Sequence, residues 1–190
     1  MSICLTDIIY ANDVDFIGLQ ETMKKSYNPS YFRKLDPEGK FKWEWIPSRG
    51  KSGGSLGGVD KDKFDLINVK HGKYILQMDL FDKGKKCNWA LLVVYGAAQD
   101  ENKPEFIAEL SSMCNNTHIP YLVGGDFNIL RHSGEKNKKT PMSHFSEVFN
   151  SVIHLLGLRE ISMSGGCYTW SNKQENPTLE KLDRVLMSYD

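Results

Sequence analysis

The sequence predicts an α/β protein built as a sandwich of mostly antiparallel sheets, and three observations lead there. Strand-like segments first cluster as hairpins and only later mix with helices, which argues against the β-α-β alternation of a doubly wound parallel sheet. The chain has 190 residues, 40% hydrophobic and 25% charged, so it can bury a core and fits one domain over residues 1–190. No run approaches the roughly 18 apolar residues of a membrane helix.

The elements follow in order. Leu5, Ile8, Ile9 and Asn12 have helical spacing. Residues Val14–Leu19 read as a short buried strand ending at Gln20-Glu21-Thr22, and 23–39 as a polar loop holding a helical turn. Phe41–Ile46 alternates apolar and charged residues at period two, as a half-exposed strand does. A glycine-rich stretch, Gly50–Gly58, reads as a lead-in to three strands at Phe64–Val69, Lys73–Phe81 and Cys87–Tyr95, the last two joined by a hairpin at Lys83–Lys86. Residues 103–115 carry a helical stripe of Phe106, Leu110, Met113 and Cys114. The strand Ile119–Val123 runs into Gly124-Gly125-Asp126-Phe127-Asn128, followed by a basic loop, Arg131–Lys139. A second helix carries the stripe Phe145, Val148, Phe149, Val152, Leu155 and Leu156, with Thr140-Pro141 as its start signal and Gly157 as its stop. Three short strands close the chain: Leu158–Ile161, Tyr168–Trp170 and Leu182–Met187.

Several function classes are excluded. Lysine plus arginine and aspartate plus glutamate both count 24, so a polybasic or histone-like protein is ruled out, although a local basic groove is not. Cys4, Cys87, Cys114 and Cys167 form no C-x-x-C, so zinc ribbons and thioredoxin motifs are absent. Gly53-Gly54-Ser55-Leu56-Gly57 matches the G-x-S-x-G nucleophile elbow, but no apolar strand precedes it and no helical stripe follows. His71, His118, His132, His144 and His154 lack metal-pair spacing. With no signal peptide or membrane span, an intracellular protein is expected, the nucleus included.

Polar residues directly after buried strands carry the chemistry. Glu21 follows one such strand, and Asp126 and Asn128 follow another. A hard divalent cation such as Mg²⁺ takes a few carboxylate oxygens and fills its remaining sites with water. A neighbouring carboxylate can orient or deprotonate a water for attack on phosphorus.

Six segments in order resemble the endonuclease/exonuclease/phosphatase superfamily. Three are its signature motifs: Gly18-Leu19-Gln20-Glu21-Thr22, Gly124-Gly125-Asp126-Phe127-Asn128 and Leu182-Asp183-Arg184-Val185. The other three, Ser52–Ser55, Val94-Tyr95-Gly96 and Gly165–Asn172, look most like the endonuclease domains of LINE-type retrotransposons. The resemblance implies a four-layer, DNase I-like sandwich of two mostly antiparallel sheets flanked by helices. It also implies phosphodiester hydrolysis of DNA with Mg²⁺ or Mn²⁺. Glu21 would be the metal ligand, Asp126 would position or activate water, and Asn128 would bond the scissile phosphate or that water. Tyr95 would contact the phosphate, and Asp183 would orient a terminal catalytic histidine. Trp170 lies where that branch presents a DNA-facing loop.

Two departures accompany the resemblance. The family opens with a strand carrying a catalytic asparagine and closes with an S-D-H motif, whereas this chain starts at the following helix and ends at Ser188-Tyr189-Asp190. The expectation is therefore a copy incomplete at both termini, with open sheet edges, exposed apolar surface and weak or absent nuclease activity. Whether the chain is an enzyme stays open at this point. The alternatives are a catalytically inactive nucleic-acid-binding remnant, using the basic stretches Arg33–Lys51 and Arg131–Lys139, and a phosphatase of the same superfamily. Nothing in the sequence points to a membrane or to a protein partner.

Overall fold

The computed structural model describes residues 5–49, 53–139 and 141–188. Ser52 and the expected helix start at Thr140 lie outside them. The amino-terminal part builds one sheet. Helix α1 (Leu5–Ala11) leads to strand β1 (Phe16–Leu19), helix α2 (Pro29–Leu35) to strand β2 (Phe41–Ile46), and strand β3 (Ser55–Asp60) lies between the two strands, antiparallel to both. The expected helical turn is thus a two-turn helix, because Asn28 caps it by accepting the Tyr31 N–H at 2.9 Å and Pro29 opens it with a preset φ.

The second sheet holds β4 (Phe64–His71), β5 (Ile75–Asp82), β6 (Cys87–Tyr95), β7 (Tyr121–Asp126), β8 (Arg159–Glu160) and β11 (Asp183–Met187), in the order β4-β5-β6-β7-β11-β8. All its pairs are antiparallel except β6–β7, which are parallel and linked through helix α3 (Lys103–Asn115). Helix α4 (His144–Leu155) follows β7, and β9 (Trp170–Ser171) pairs with β10 (Leu179–Glu180) as a separate ribbon. The cap of α4 is Ser143, whose hydroxyl accepts the Phe145 N–H, so this helix begins beyond Thr140-Pro141.

Side-chain alternation explains the layering. On β6, Ala90, Leu92 and Val94 join Phe106, Leu110, Phe149 and Ile153 of α3 and α4 in one core. Leu91 and Val93 point the other way, meeting Val59, Leu76, Met78 and Leu80 between the sheets. A third cluster packs Ile9 and Leu35 of α1 and α2 on Ile17, Phe41 and Leu56. The order of layers is helices, sheet, sheet, helices.

The strand over Ser55–Asp60 is not evident in the sequence. It is the central strand of its sheet and buried throughout, and glycine is what admits it. A Cβ at Gly58 would lie 2.5 Å from the Trp43 ring, and one at Gly57 2.6 Å from the Met78 methyl. Glycine ordinarily weakens strands, so a strand selected for close approach reads as a loop.

The expected open edge is present. Among the described residues β1 pairs with β3 alone, and its other side borders a groove of ≈ 550 Å³ lined by Phe16, Gly18, Leu122 and Val185. Exposed apolar groups cluster there, including Ile161 and Met163. Among the described residues no helix is long and apolar enough to cross a membrane.

Candidate active site

Sheet register brings the predicted residues together. Tyr95 ends β6, directly opposite Asp126 at the end of β7, which in turn faces Asp183 at the start of β11. These three form one rung across adjacent strands, which are spaced about 4.8 Å apart. Glu21 arrives from the other sheet, just past β1, and its Oε1 accepts the Tyr95 hydroxyl at 2.9 Å. The site therefore straddles the sandwich, with one carboxylate from the first sheet and two from the second.

The Glu21 loop is held in uncommon backbone. Glu21 and Met23 have φ of +51° and +53°, a region that costs a non-glycine residue energy and that clusters at functional sites. The loop is tied to the glycine stretch by Thr22 N–H donating to Gly54 O and Met23 N–H to Gly53 O. At Gly54 (φ +87°) a Cβ would fall 2.7 Å from the Thr22 hydroxyl, so only glycine lets the two loops close.

Asn128, also at positive φ (+52°), holds Asp126 twice: its backbone N–H donates to Oδ1 at 2.9 Å and its amide to Oδ2 at 3.0 Å. The same amide donates to Gly96 O. The Asn128 donors are thus engaged within the protein and fix the carboxylate. Burial pushes the Asp126 carboxyl up to about 6, reinforced by the charges of Asp183 and Glu21 and opposed by the bonds from Asn128. Burial and the contact with Glu21 raise the Tyr95 phenol, keeping it a proton donor.

Asp183 is set by a residue the sequence reading gave no role. The Thr169 hydroxyl accepts the backbone N–H groups of Leu182 and Asp183, each at 3.0 Å. A second such residue is Arg184, whose side chain is fully buried. It bonds Glu135 at 3.0 and 3.2 Å, approaches Glu160 at 3.4 Å, and lies over the rings of Phe127 and Phe149. Burial opposes ionisation of Glu160, but bonds from Lys181 and Arg131 hold its carboxyl low. An arginine in an otherwise apolar strand next to a candidate acid was the available signal.

The basic loop is largely spent in this network. Arg131 pairs with Glu160 at 2.6 Å, Lys136 with Glu180 at 2.7 Å, and Lys138 donates to Asn176 O at 2.8 Å. Trp170 is 44% exposed on the β9–β10 ribbon and is not core. Among the described residues no group of three or more His, Cys, Asp or Glu closes around one point, and none of the bonds to Asp126 or Asp183 comes from a histidine. The donor set still suits Mg²⁺ or Mn²⁺, which are held by one or two carboxylates with water completing the shell. The mutual repulsion that raises Asp126 is what a nearby cation would relieve.

This four-layer sandwich, with acids gathered at one rim where strands end, has the DNase I-like fold. Among solved structures, the endonuclease domain of TRAS1, a telomere-specific non-LTR retrotransposon, superposes with a TM-score of 0.73 at 13% identity, covering 98% of this chain and 78% of that one. The AP endonuclease LMAP from Leishmania major gives 0.74 at 14% identity, covering 97% and 72%. The human nocturnin catalytic domain gives 0.63 at 19% identity, covering 95% and 71%. No family model matches the chain, and no curated protein matches it.

Proposed function

We propose that the chain hydrolyses phosphodiester bonds of DNA with a divalent cation, Mg²⁺ or Mn²⁺, and that Glu21 is its principal protein ligand. The observation that carries this is the Tyr95–Asp126–Asp183 rung facing Glu21 across the sheet gap. DNA as the substrate is supported by the retrotransposon endonuclease domain and the AP endonuclease among the structural neighbours. When bound, such a cation offsets negative charge on the phosphate oxygens.

Asp126 is the base. Its carboxyl, raised to about 6, is ionised at neutral pH yet basic enough to accept a proton as a water oxygen bonds to phosphorus. The ester P–O bond breaks and the departing oxygen is protonated by solvent. Asn128 orients Asp126 through two bonds, and the Tyr95 hydroxyl, which donates to Glu21 in the free protein, would turn to a phosphate oxygen when substrate binds. Asp183 keeps the field at Asp126 negative, and Thr169 fixes its backbone.

Supercoiled-plasmid nicking with Mg²⁺, with Mn²⁺ and in EDTA tests the reading, beside Glu21→Ala and Asp126→Ala. Metal-dependent nicking lost in both variants supports it. Equal nicking by all three proteins defeats it, and DNA binding without any cleavage points to a binding remnant instead. Turnover of a small phosphate monoester but not of plasmid would indicate a phosphatase.

A further inference from the structure

A cleft of ≈ 390 Å³ opens beside the Glu21–Tyr95 pair, within the size range of small-ligand sites. Two cations line it from different directions. Arg49, past the end of β2, is exposed, and among the described residues no hydrogen bond or salt bridge engages its guanidinium. Lys73 sits in the β4–β5 turn, which α3 holds rigid: Glu109 accepts the N–H groups of Lys73, Tyr74 and Ile75 at 3.0–3.1 Å. A Cβ at Gly72 would lie 2.1 Å from the Glu109 carboxylate, so glycine is required at this contact. The Lys73 ammonium rests over the Tyr74 ring at 4.9 Å and bonds Glu105, which the Tyr74 hydroxyl also reaches.

Glu105 is an informative neighbour. Its side chain is 56% exposed, and Lys73, then Tyr74, then Arg49 draw its carboxyl below the ordinary range. Two cations from separate elements thus line one cleft, and one of them, Lys73, is held by a solvent-facing anion. A phosphate is the natural exchange partner for such a carboxylate, since it offers more acceptor oxygens and Arg binds it bidentately. The amides of Gln99 and Asn102 complete the wall.

We propose that this cleft is a second phosphate subsite, in which Arg49 and Lys73 grip a phosphate of the substrate strand neighbouring the scissile one and Glu105 is the anion it displaces. The inference rests on the hydrolase reading, because it takes the strand from the subsite to Glu21 and Tyr95. Its chemical class of ligand is a polyphosphodiester. A lone phosphoester engages only half of this surface.

The test separates binding from cleavage. A fluorescein-labelled thymidylate hexamer is titrated with the protein in EDTA, where no hydrolysis occurs, at several KCl concentrations. Arg49→Ala should weaken binding roughly tenfold. It should also flatten the slope of log K against log salt by about 0.7, one phosphate contact on a single strand. Glu105→Gln should do the reverse, tightening binding several-fold by freeing Lys73. Opposite shifts from these two exposed positions support the subsite; unchanged affinity and slope in Arg49→Ala, or weaker binding in Glu105→Gln, overturns it. Plasmid nicking is scored separately. Opposite binding shifts without any wild-type nicking would sink the hydrolase reading and leave the subsite standing.

Discussion

Replacing Asp126 by Asn should stabilise the protein while abolishing its chemistry, and the size of the gain follows from the site. The carboxyl moves from 3.8 to about 6 on folding, chiefly through burial. Each pH unit of such displacement is worth about 1.4 kcal/mol, giving an upper bound of about 3 kcal/mol. The group reaches solvent in part, and the amide of Asp126→Asn offers one acceptor where the carboxylate offered two to Asn128, so the expected gain is cut to about 1–2 kcal/mol. The sign is set by proton uptake. Between pH 3.8 and about 6 the folded state binds more protons than the unfolded one, so stability falls as pH rises through this window. The cost of the charged Asp126 is therefore fully present above pH 6 and absent below 3.8. Urea unfolding of wild type and Asp126→Asn at pH 8 and pH 4 measures it. The variant should be more stable at pH 8, the difference should close at pH 4, and nicking should fall at least 100-fold. A difference independent of pH, or a less stable variant at pH 8, would refute the assignment of strain to this carboxyl.

The same value predicts that wild-type nicking rises about tenfold per pH unit below 6 and levels off above it, with no second fall before the Tyr95 phenol ionises at strongly alkaline pH; a pH–rate profile checks both limbs. Tyr95→Phe removes only the hydroxyl that meets Glu21, so thermal unfolding should move by no more than about 1 kcal/mol while nicking drops roughly tenfold. Arg184→Met leaves the buried Glu135 carboxylate without its cation, while Glu160 keeps Arg131 and Lys181, and should cost about 3–5 kcal/mol in urea unfolding. Gly58→Ala meets a rigid indole whereas Gly57→Ala meets the mobile end of Met78, so the first should cost about 1–3 kcal/mol and the second less, as read by tryptophan fluorescence during unfolding.

Legibility in the sequence divided along physical lines. Glu21, Asp126 and Asn128 were visible because each follows an apolar run that had to be a buried strand, and strand ends present side chains at a rim. The strands Phe41–Ile46, expected from its alternation, and Cys87–Tyr95, expected from its apolar run after a hairpin turn, have the expected bounds. What the sequence hid depends on contacts distant along the chain. Ser55–Asp60 is a strand because Trp43 and Met78 fill the space its glycines leave. The start of α4 depends on which hydroxyl reaches a free N–H, and the Ser143 hydroxyl accepts that of Phe145. Arg131, Lys136 and Lys138 looked like a groove for DNA, yet their acceptors lie 19 to 44 positions away and turn them inward. Arg184 belonged to a recognised motif without any role. Its function is to anchor the strand that carries Asp183, and only the fold places Glu135 and Glu160 around it.

Glu21 and the Asp126 rung belong to separate sheets, tied at the site by the Tyr95–Glu21 bond and not by a strand ladder, so the spacing between them depends also on the greasy filling that separates the layers. Leu76, Met78, Leu91, Val93 and Val59 act as shims. Shaving or thickening any of them would change the width of the proposed cation site without touching the acids themselves. Selection for a different metal, or for work at a different temperature, can therefore act on residues that never meet the substrate, and a laboratory search for altered metal preference should begin with those shims.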